Sequence, residues 1–168
     1  MNSPLTVQIK TRLYDLPFHA YEQCLNELLT KMGYENVALC GRTKTRQYTA
    51  HGGRDMEAFA RTGVTAARII LQAKQYRRPV SRRFVDELRG TLLRLNARQG
   101  LLISTSTFSS VARQAAETAG SPIHLVDGDA LAQLLISHRV GVRIRDGLRR
   151  KRLSLDHAYF DALATQYP

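Results

Sequence analysis

Hydrophobic spacing in the second half of the chain changes period repeatedly, and this alternation limits the folds open to it. Residues 81–98 place apolar side chains at helical spacing, and residues 100–104 form a short apolar run typical of a buried strand. A second helical segment, 109–119, precedes a second apolar run at 123–126. Strands that alternate with helices usually pair in parallel through crossover connections. The pattern therefore predicts an α/β protein.

The first half carries a helix and an antiparallel hairpin. Residues 18–32 place apolar side chains at helical spacing, and Gly33 is suited to close that helix. A short strand at 37–40 comes next, followed by a polar loop and two β-like runs, 54–60 and 67–74, which a turn joins. With the two later strands, these segments predict a mixed central sheet of about five strands flanked by helices.

The chain is predicted to form a single domain, because no linker, repeat or low-complexity tract divides residues 1–168. Its core covers about 18–137. The remaining segment, 138–168, is predicted to add a basic hairpin that turns at Asp146-Gly147 and a terminal helix.

Basic residues outnumber acidic ones. Lys and Arg total 25 against 14 Asp and Glu, a formal net charge of +11, which predicts a polyanionic partner. Because 43% of the residues are hydrophobic, this charge is expected on a folded surface and not on a disordered arm. No apolar run approaches the ~20 residues that span a bilayer, so we expect no membrane partner. The start of the chain has no secretory signal pattern, which favours a cytoplasmic protein.

Polar side chains collect at one end of the predicted hairpin. Period-two alternation places Asp55 and Glu57 on one face of the first strand, and Gln72 and Lys74 on one face of the second. A carboxylate can anchor Mg²⁺ through oxygen, and a nearby lysine can orient water and offset negative charge in a transition state. The pattern is typical of a hydrolytic site for phosphodiesters. It is also compatible with an edge hairpin whose polar residues are solvated.

Glu22 is the acid that the helix pattern leaves unexplained. At about 100° per residue it lies about 20° from Leu29 and about 40° from Phe18, at the edge of the apolar stripe. A carboxylate in that position needs a partner, such as a buried Arg or Lys.

Several short segments follow one another in an order that carries a family resemblance. They are Tyr21-Glu22 and Met32-Gly33-Tyr34, Gly52-Gly53-Arg54-Asp55, Leu71-Gln72-Ala73-Lys74-Gln75-Tyr76, residues 100–109, and Leu125-Val126-Asp127-Gly128-Asp129. Together they cover about 21–137 and resemble the catalytic domain of Mrr-type restriction endonucleases, within the PD-(D/E)xK nuclease superfamily.

The resemblance implies a restriction-endonuclease-like fold with an αβββαβ core and a metal-dependent nuclease site. It makes Asp55 the metal-binding acid, Gln72 the variant of the motif's usual acid and Lys74 the catalytic lysine. Glu22 becomes the helix-borne acid near the metal, and Mg²⁺, for which Mn²⁺ can substitute, is the implied cofactor of Asp55, Glu22 and Gln72. Many relatives carry an acid where this chain has His51, so fewer carboxylates surround the metal and His51 is a possible accessory residue.

Two groups of basic residues are candidates for contact with DNA phosphates. The first is expected to ring the cleft and comprises Arg42, Lys44, Arg46, Arg54, Arg77, Arg78, Arg82 and Arg83. The second either extends the DNA track or solubilises an exposed hairpin, and comprises Arg143, Arg145, Arg149, Arg150, Lys151 and Arg152.

The predicted function is that of a metal-dependent DNA endonuclease in foreign-DNA restriction, DNA repair or mobile-element processing. Sequence specificity is expected to be absent or supplied by a partner. The expected partners are DNA and either a second copy of the chain or a larger DNA-processing complex. Three alternatives stay open: a Holliday-junction resolvase-like nuclease, a non-catalytic DNA-binding or assembly subunit that retains the fold, and a basic protein-interaction domain.

Overall fold

The computed structural model describes residues 3–40, 54–117, 122–146 and 151–168. The described helices are α1 (Pro4–Asp15), α2 (Phe18–Lys31), α3 (Arg82–Arg94), α4 (Ser110–Glu117), α5 (Gly128–Ser137) and α6 (His157–Gln166). The described strands are β1 (Glu35–Leu39), β2 (Met56–Thr62), β3 (Thr65–Lys74), β4 (Gln99–Ser104), β5 (Ile123–Val126), β6 (Val142–Asp146) and β7 (Lys151–Leu155). No described helix has the length and apolar content that a bilayer crossing requires.

A five-stranded mixed sheet forms the centre of the protein, in the order β1-β2-β3-β4-β5. The pairs β1–β2 and β2–β3 are antiparallel, whereas β3–β4 and β4–β5 are parallel. The parallel pairs are those joined through α3 and α4, as crossover connections require. The predicted mixed sheet with flanking helices is confirmed.

Helices cover both faces of the sheet, because side chains of the central strands alternate between two cores. Leu71 and Ala73 of β3 pack with α1, α2, α5 and α6. Ile70 of the same strand and Leu102 of β4 pack with α3 and α4. This burial on both sides explains the apolar runs of β3 and β4.

Helix α1 has no counterpart among the predicted elements. It begins at Pro4, and the Ser3 hydroxyl accepts a hydrogen bond from the Thr6 N–H (3.2 Å). Only Thr6, Ile9 and Leu13 of this helix are buried. Three inward positions in twelve residues make a weak periodic signal, so tertiary packing stabilises the helix more than its own pattern does.

Helix α3 ends at Arg94, four residues before its predicted end. Asn96 adopts a left-handed backbone conformation (φ 49°), which stops the helix and directs the chain into β4. Ser81 occupies the predicted N-cap position, but its side chain makes no capping hydrogen bond.

Strands β6 and β7 form a separate two-stranded sheet, the β6–β7 ribbon, which confirms the predicted basic hairpin. Its turn, including Gly147, lies outside the described residues. At the root of the ribbon the Asp156 N–H donates to the Gly141 carbonyl (2.9 Å), and Leu155 joins the core. A Cβ on Gly141 would lie 2.5 Å from the Phe160 ring, so glycine is required for this close packing.

Candidate active site

Asp55 lies immediately before β2 and is held against the end of β3. Its N–H donates to the Leu71 carbonyl (2.9 Å), and its Oδ2 accepts a hydrogen bond from the Ala73 N–H (2.7 Å). The backbone of the neighbouring strand therefore fixes the position of the carboxylate. Burial raises the pKa of Asp55, although the Ala73 N–H and the charge of Lys74 act in the opposite direction.

Lys74 is the last residue of β3. Burial lowers the pKa of its ammonium group, while the negative charges of Asp55 and Glu87 oppose that shift. The ammonium nitrogen lies 4.7 Å from the centre of the Phe84 ring, in the first turn of α3. A partly desolvated acid and a partly desolvated amine thus lie within electrostatic range of each other, an arrangement that is concentrated at functional sites.

Gln72 lies two residues before Lys74 on β3, so the two side chains project from the same face of the strand. Only 2% of Gln72 is exposed, and its Oε1 is buried without a hydrogen-bond partner among the described residues. An unsatisfied buried carbonyl oxygen is costly. An oxygen-seeking cation held with Asp55 would satisfy it, so these residues fit a Mg²⁺ site.

The donor set at this site is sparse. No group of three or more His, Cys, Asp or Glu side chains in the described part of the chain is arranged to hold a metal ion. Mg²⁺ usually keeps several waters and uses one or two carboxylates. One carboxylate and one amide oxygen are therefore compatible with a weakly held, hydrated ion.

Glu22 lies on α2 and is 8% exposed. Its Oε2 is 3.3 Å from His19 Nδ1, one turn earlier on the same helix. The preceding residue, Tyr21, is fully buried, and the Asp55 carboxylate is one of the groups that influence its hydroxyl. Burial, followed by Cys24 and Asp55, raises the pKa of the Tyr21 hydroxyl.

The residue after Lys74 links the C-terminal end of α1 to the end of β3. The Gln75 side-chain amide donates to the carbonyls of Leu13 (2.8 Å), Tyr14 (3.1 Å) and Leu16 (2.7 Å). These carbonyls lie at the end of α1 and in the turn before α2. One amide therefore ties that turn to β3, a role that no pattern in the sequence indicates.

The turn after β4 supports the site from the opposite side. The Thr105 N–H donates to the Lys74 carbonyl (3.0 Å), and its hydroxyl donates to the Tyr76 carbonyl (2.8 Å). A Cβ on Gly128 would lie 2.2 Å from the Thr105 carbonyl oxygen. The Asp127-Gly128 motif is thus explained by close packing of α5 against this turn.

A second acidic residue on the hairpin, Glu57, has a structural role. Arg68 binds both of its carboxylate oxygens (2.7 and 2.8 Å), and Arg54 lies 3.5 Å away. The hydrogen bond from Arg68 lowers the pKa of Glu57, and this outweighs the effect of burial. The charge of Glu57 is therefore already compensated by protein groups.

Most described arginines of the predicted DNA track also have acidic partners. Arg82 and Arg83 pair along α3 with Asp86 (3.0 Å) and Glu87 (2.7 Å). Arg77 lies 3.9 Å from the centre of the Tyr14 ring and 3.6 Å from Asp15. Arg78 is exposed, without an ion pair among the described side chains, and Arg54 pairs with Glu57. Arg42, Lys44, Arg46 and His51 lie outside the described residues.

Phe84 is the functional candidate that sequence reasoning missed. Besides Lys74, its ring contacts Tyr76 (5.6 Å between centroids) and the Arg83 guanidinium (5.9 Å). A single aromatic residue near a helix start has no distinctive sequence signal. Its importance comes from β3 and α3 meeting at this edge.

Comparison with known proteins gives a consistent family match. A family model described as a restriction endonuclease, the Mrr catalytic domain, matches residues 13–135. Over 90 residues the chain is 34% identical to the type IV methyl-directed restriction enzyme EcoKMrr of Escherichia coli (strain K12). That match covers 54% of this chain and 29% of the relative, so it spans under a third of that protein's length.

Two solved structures share the fold. The DNA modification-dependent restriction endonuclease AspBHI matches 99% of this chain and 41% of its own, with a TM-score of 0.69 and 19% identity. The MspJI restriction endonuclease in complex with a 27-mer oligonucleotide matches 95% of this chain and 34% of its own, with a TM-score of 0.58 and 18% identity.

Proposed function

The chain belongs to the Mrr-type restriction endonuclease family, and from this membership we propose that it is a metal-dependent DNA endonuclease acting in the restriction of foreign DNA. The observation that supports the proposal most directly is the placement of Asp55, Gln72 and Lys74 at one end of the β2–β3 hairpin. There a partly buried carboxylate, an unsatisfied amide oxygen and a partly buried ammonium group lie on β3 and at the start of the adjacent β2.

The metal would be held by Asp55 and Gln72, with Glu22 contributing directly or through water. When bound, Mg²⁺, or Mn²⁺ in its place, would polarise a phosphodiester oxygen and lower the pKa of a water molecule. Hydrogen bonding to the Ala73 N–H keeps the Asp55 carboxylate in place, so little reorganisation is needed at the moment of reaction.

Lys74 would bind the scissile phosphate. Its ammonium group can orient the attacking water and offset the negative charge that develops on the phosphoryl oxygens. The Phe84 ring contacts this ammonium group and restricts the directions open to it. We therefore assign Phe84 as a positioning residue that acts through Lys74.

The decisive experiment is a cleavage assay on supercoiled, linear, methylated and four-way-junction DNA. Reactions contain Mg²⁺, Mn²⁺ or EDTA, and the D55N variant runs in parallel. We expect cleavage with either metal, none with EDTA, and none by D55N. Cleavage confined to the four-way junction would identify a resolvase-like nuclease, and cleavage that persists in EDTA would exclude the proposed mechanism.

One observation favours a second function. Because the described residues hold no group of three metal-binding side chains, the domain could act as a non-catalytic DNA-binding or assembly subunit. Calorimetric titration with Mg²⁺ and Mn²⁺ separates the two functions. Heat of binding in the wild type that disappears in D55N supports the nuclease, whereas its absence in the wild type supports the non-catalytic subunit.

The structural neighbours are longer than this chain, which covers 41% and 34% of them. We propose that sequence recognition is either absent or supplied by a further component, and that the domain acts as a homodimer or within a larger DNA-processing complex. Light scattering of the protein, alone and with duplex DNA, measures the oligomeric state directly.

A further inference from the structure

The β6–β7 ribbon has two chemically different faces. Its register pairs Val142 with Leu155 and Ile144 with Leu153 on one face. Arg143 opposite Ser154 and Arg145 opposite Arg152 make up the other face. We call the second set, Arg143, Arg145 and Arg152, the basic face of the ribbon.

The apolar face shows how far the ribbon projects from the protein. Leu155 at the root is 3% exposed, whereas Ile144 and Leu153, two residue pairs farther out, are 45% and 40% exposed. Burial on this face therefore ends before the second residue pair beyond the root. The outer part of the ribbon extends into solvent, on a root held in place by Gly141 and Phe160.

In the part of the chain that the structure describes, the basic face lacks the charge compensation found on the β2–β3 hairpin. Its three arginines are exposed, and none of them forms an ion pair with a described side chain. Arg145 and Arg152 are directly opposite each other across the strands. Like charges in that position destabilise a hairpin. The arrangement is thus unfavourable for the isolated protein and favourable for one bound to a polyanion.

The ribbon is connected to the candidate active site through α1. Strand β7 packs against α1, and the C-terminal end of α1 accepts the hydrogen bonds of Gln75, the neighbour of Lys74. A helix of 12 residues is about 18 Å long. One turn of duplex DNA is about 34 Å long, roughly twice the length of this helix.

We propose that the basic face of the β6–β7 ribbon binds the phosphate backbone of duplex DNA outside the cleavage site. The inference rests on the proposed function in taking DNA as the polyanion. A two-stranded ribbon also has the dimensions that the DNA major groove admits. The ribbon would hold the duplex in register with Asp55 and Lys74 without reading its sequence.

The test compares two double variants that remove the same charge. R145Q/R152Q neutralises the outer part of the basic face. R98Q/R139Q removes two other exposed arginines, neither of which pairs with a described acid. Arg98 immediately precedes β4, at the end of that strand remote from Lys74. Both variants are made in the D55N background, so that binding is measured without cleavage.

Binding to a fluorescent duplex of about 30 base pairs, roughly three helical turns, is measured by anisotropy across a range of salt concentrations. Each phosphate contact contributes about 0.9 to the slope of log K against log salt. We expect R145Q/R152Q to reduce that slope by roughly 1–2 and R98Q/R139Q to leave it unchanged. Thermal unfolding should show that R145Q/R152Q is at least as stable as its parent.

An unchanged slope in R145Q/R152Q, or an equal reduction in both double variants, would overturn the proposal. The cleavage assay separates this result from failure of the proposed function. If the wild type cleaves no DNA but the slope still falls in R145Q/R152Q alone, the ribbon binds DNA on a domain that is not a nuclease. If the wild type cleaves and the slope is unchanged, the inference about the ribbon fails by itself.

Discussion

The protein contains two antiparallel hairpins whose charged residues are arranged in opposite ways. In the β2–β3 hairpin, opposite charges lie close together: Asp55 near Lys74, and Glu57 against Arg68. In the β6–β7 ribbon, Arg145 faces Arg152. The difference follows from what lies beside each hairpin. Strand β3 also pairs with β4 and is covered by helices on both faces, whereas the outer ribbon is solvated.

Partial burial of the charges on the β2–β3 hairpin favours their compensation, because removing a charge from water without a partner is unfavourable. Solvent and salt around the ribbon weaken repulsion between its arginines, so like charges can persist there. The β2–β3 hairpin is therefore suited to shift the pKa values of reactive groups such as Asp55 and Lys74. The ribbon is suited to make salt-sensitive contacts with phosphates.

The largest expected effect comes from Asp55 and Lys74, which are partly buried. D55N and K74A should each reduce metal-dependent DNA cleavage by about 10²–10⁴-fold. D55N removes the carboxylate that would hold the metal, and K74A removes the positive charge that would offset negative charge on the phosphate. Asn can still accept the hydrogen bond from the Ala73 N–H, so D55N should retain the fold. Plasmid cleavage rates and thermal unfolding are measured on the same preparations. Wild-type cleavage by either folded variant would refute the role of that residue.

Phe84 tests whether the lysine needs its aromatic neighbour. F84L keeps an apolar side chain of similar bulk but removes the interaction with the ammonium group, worth about 1 kcal/mol, so kcat should fall roughly five- to ten-fold. KM should change little, and F84Y should restore the rate. Single-turnover and steady-state cleavage kinetics measure both parameters. Equal losses in F84L and F84Y would indicate a packing role for Phe84 instead.

The Glu57–Arg68 pair tests how much charge compensation on the β2–β3 hairpin contributes to stability, apart from any role in cleavage. E57Q should lower the free energy of unfolding near neutral pH by about 1 kcal/mol and leave cleavage unaffected. Because Arg68 lowers the pKa of Glu57 in the folded state, the pair stabilises the protein above the unfolded-state pKa of Glu. That contribution is lost as the pH falls through the folded-state pKa. Urea unfolding between about pH 3 and 7 should show the two proteins converging in acid.

The smallest expected effect is a gain in stability. R145Q/R152Q removes a cross-strand repulsion and should raise the free energy of unfolding by a few tenths of a kcal/mol. Urea unfolding at low and high salt measures this change, and the gain should shrink as salt screens the wild-type repulsion. The R98Q/R139Q variant serves as the control. A loss of stability in R145Q/R152Q would show that these arginines have a structural partner.

Local patterns were sufficient to predict most elements of the fold. The period of the apolar residues identified α2, α3 and the strands around them, because one face of each helix and both faces of β3 and β4 are buried. Helix α1 was not predicted, because it buries few side chains and its apolar pattern is therefore weak. The early end of α3 depends on a single left-handed residue, Asn96, which has no strong sequence signal.

The candidate site was predictable in its members but not in its arrangement. Alternation alone placed Gln72 and Lys74 on one face of β3 and proposed Asp55 opposite them. Their roles remain predictions that the variants above test. The hydrogen bond that fixes Asp55, the Phe84 ring beside Lys74 and the Gln75 link to α1 all join residues from different elements. No spacing rule relates such residues.

The sequence by itself determined the order and type of the main elements, the basic character of the protein and the candidate residues on its hairpin. These follow from periodicity and composition, which act over a few neighbouring residues. Only the tertiary structure decided which charges are buried, because burial depends on strands and helices that are distant in sequence. It therefore separated the β2–β3 hairpin, where opposite charges are paired, from the β6–β7 ribbon, where Arg145 faces Arg152 and neither pairs with a described side chain.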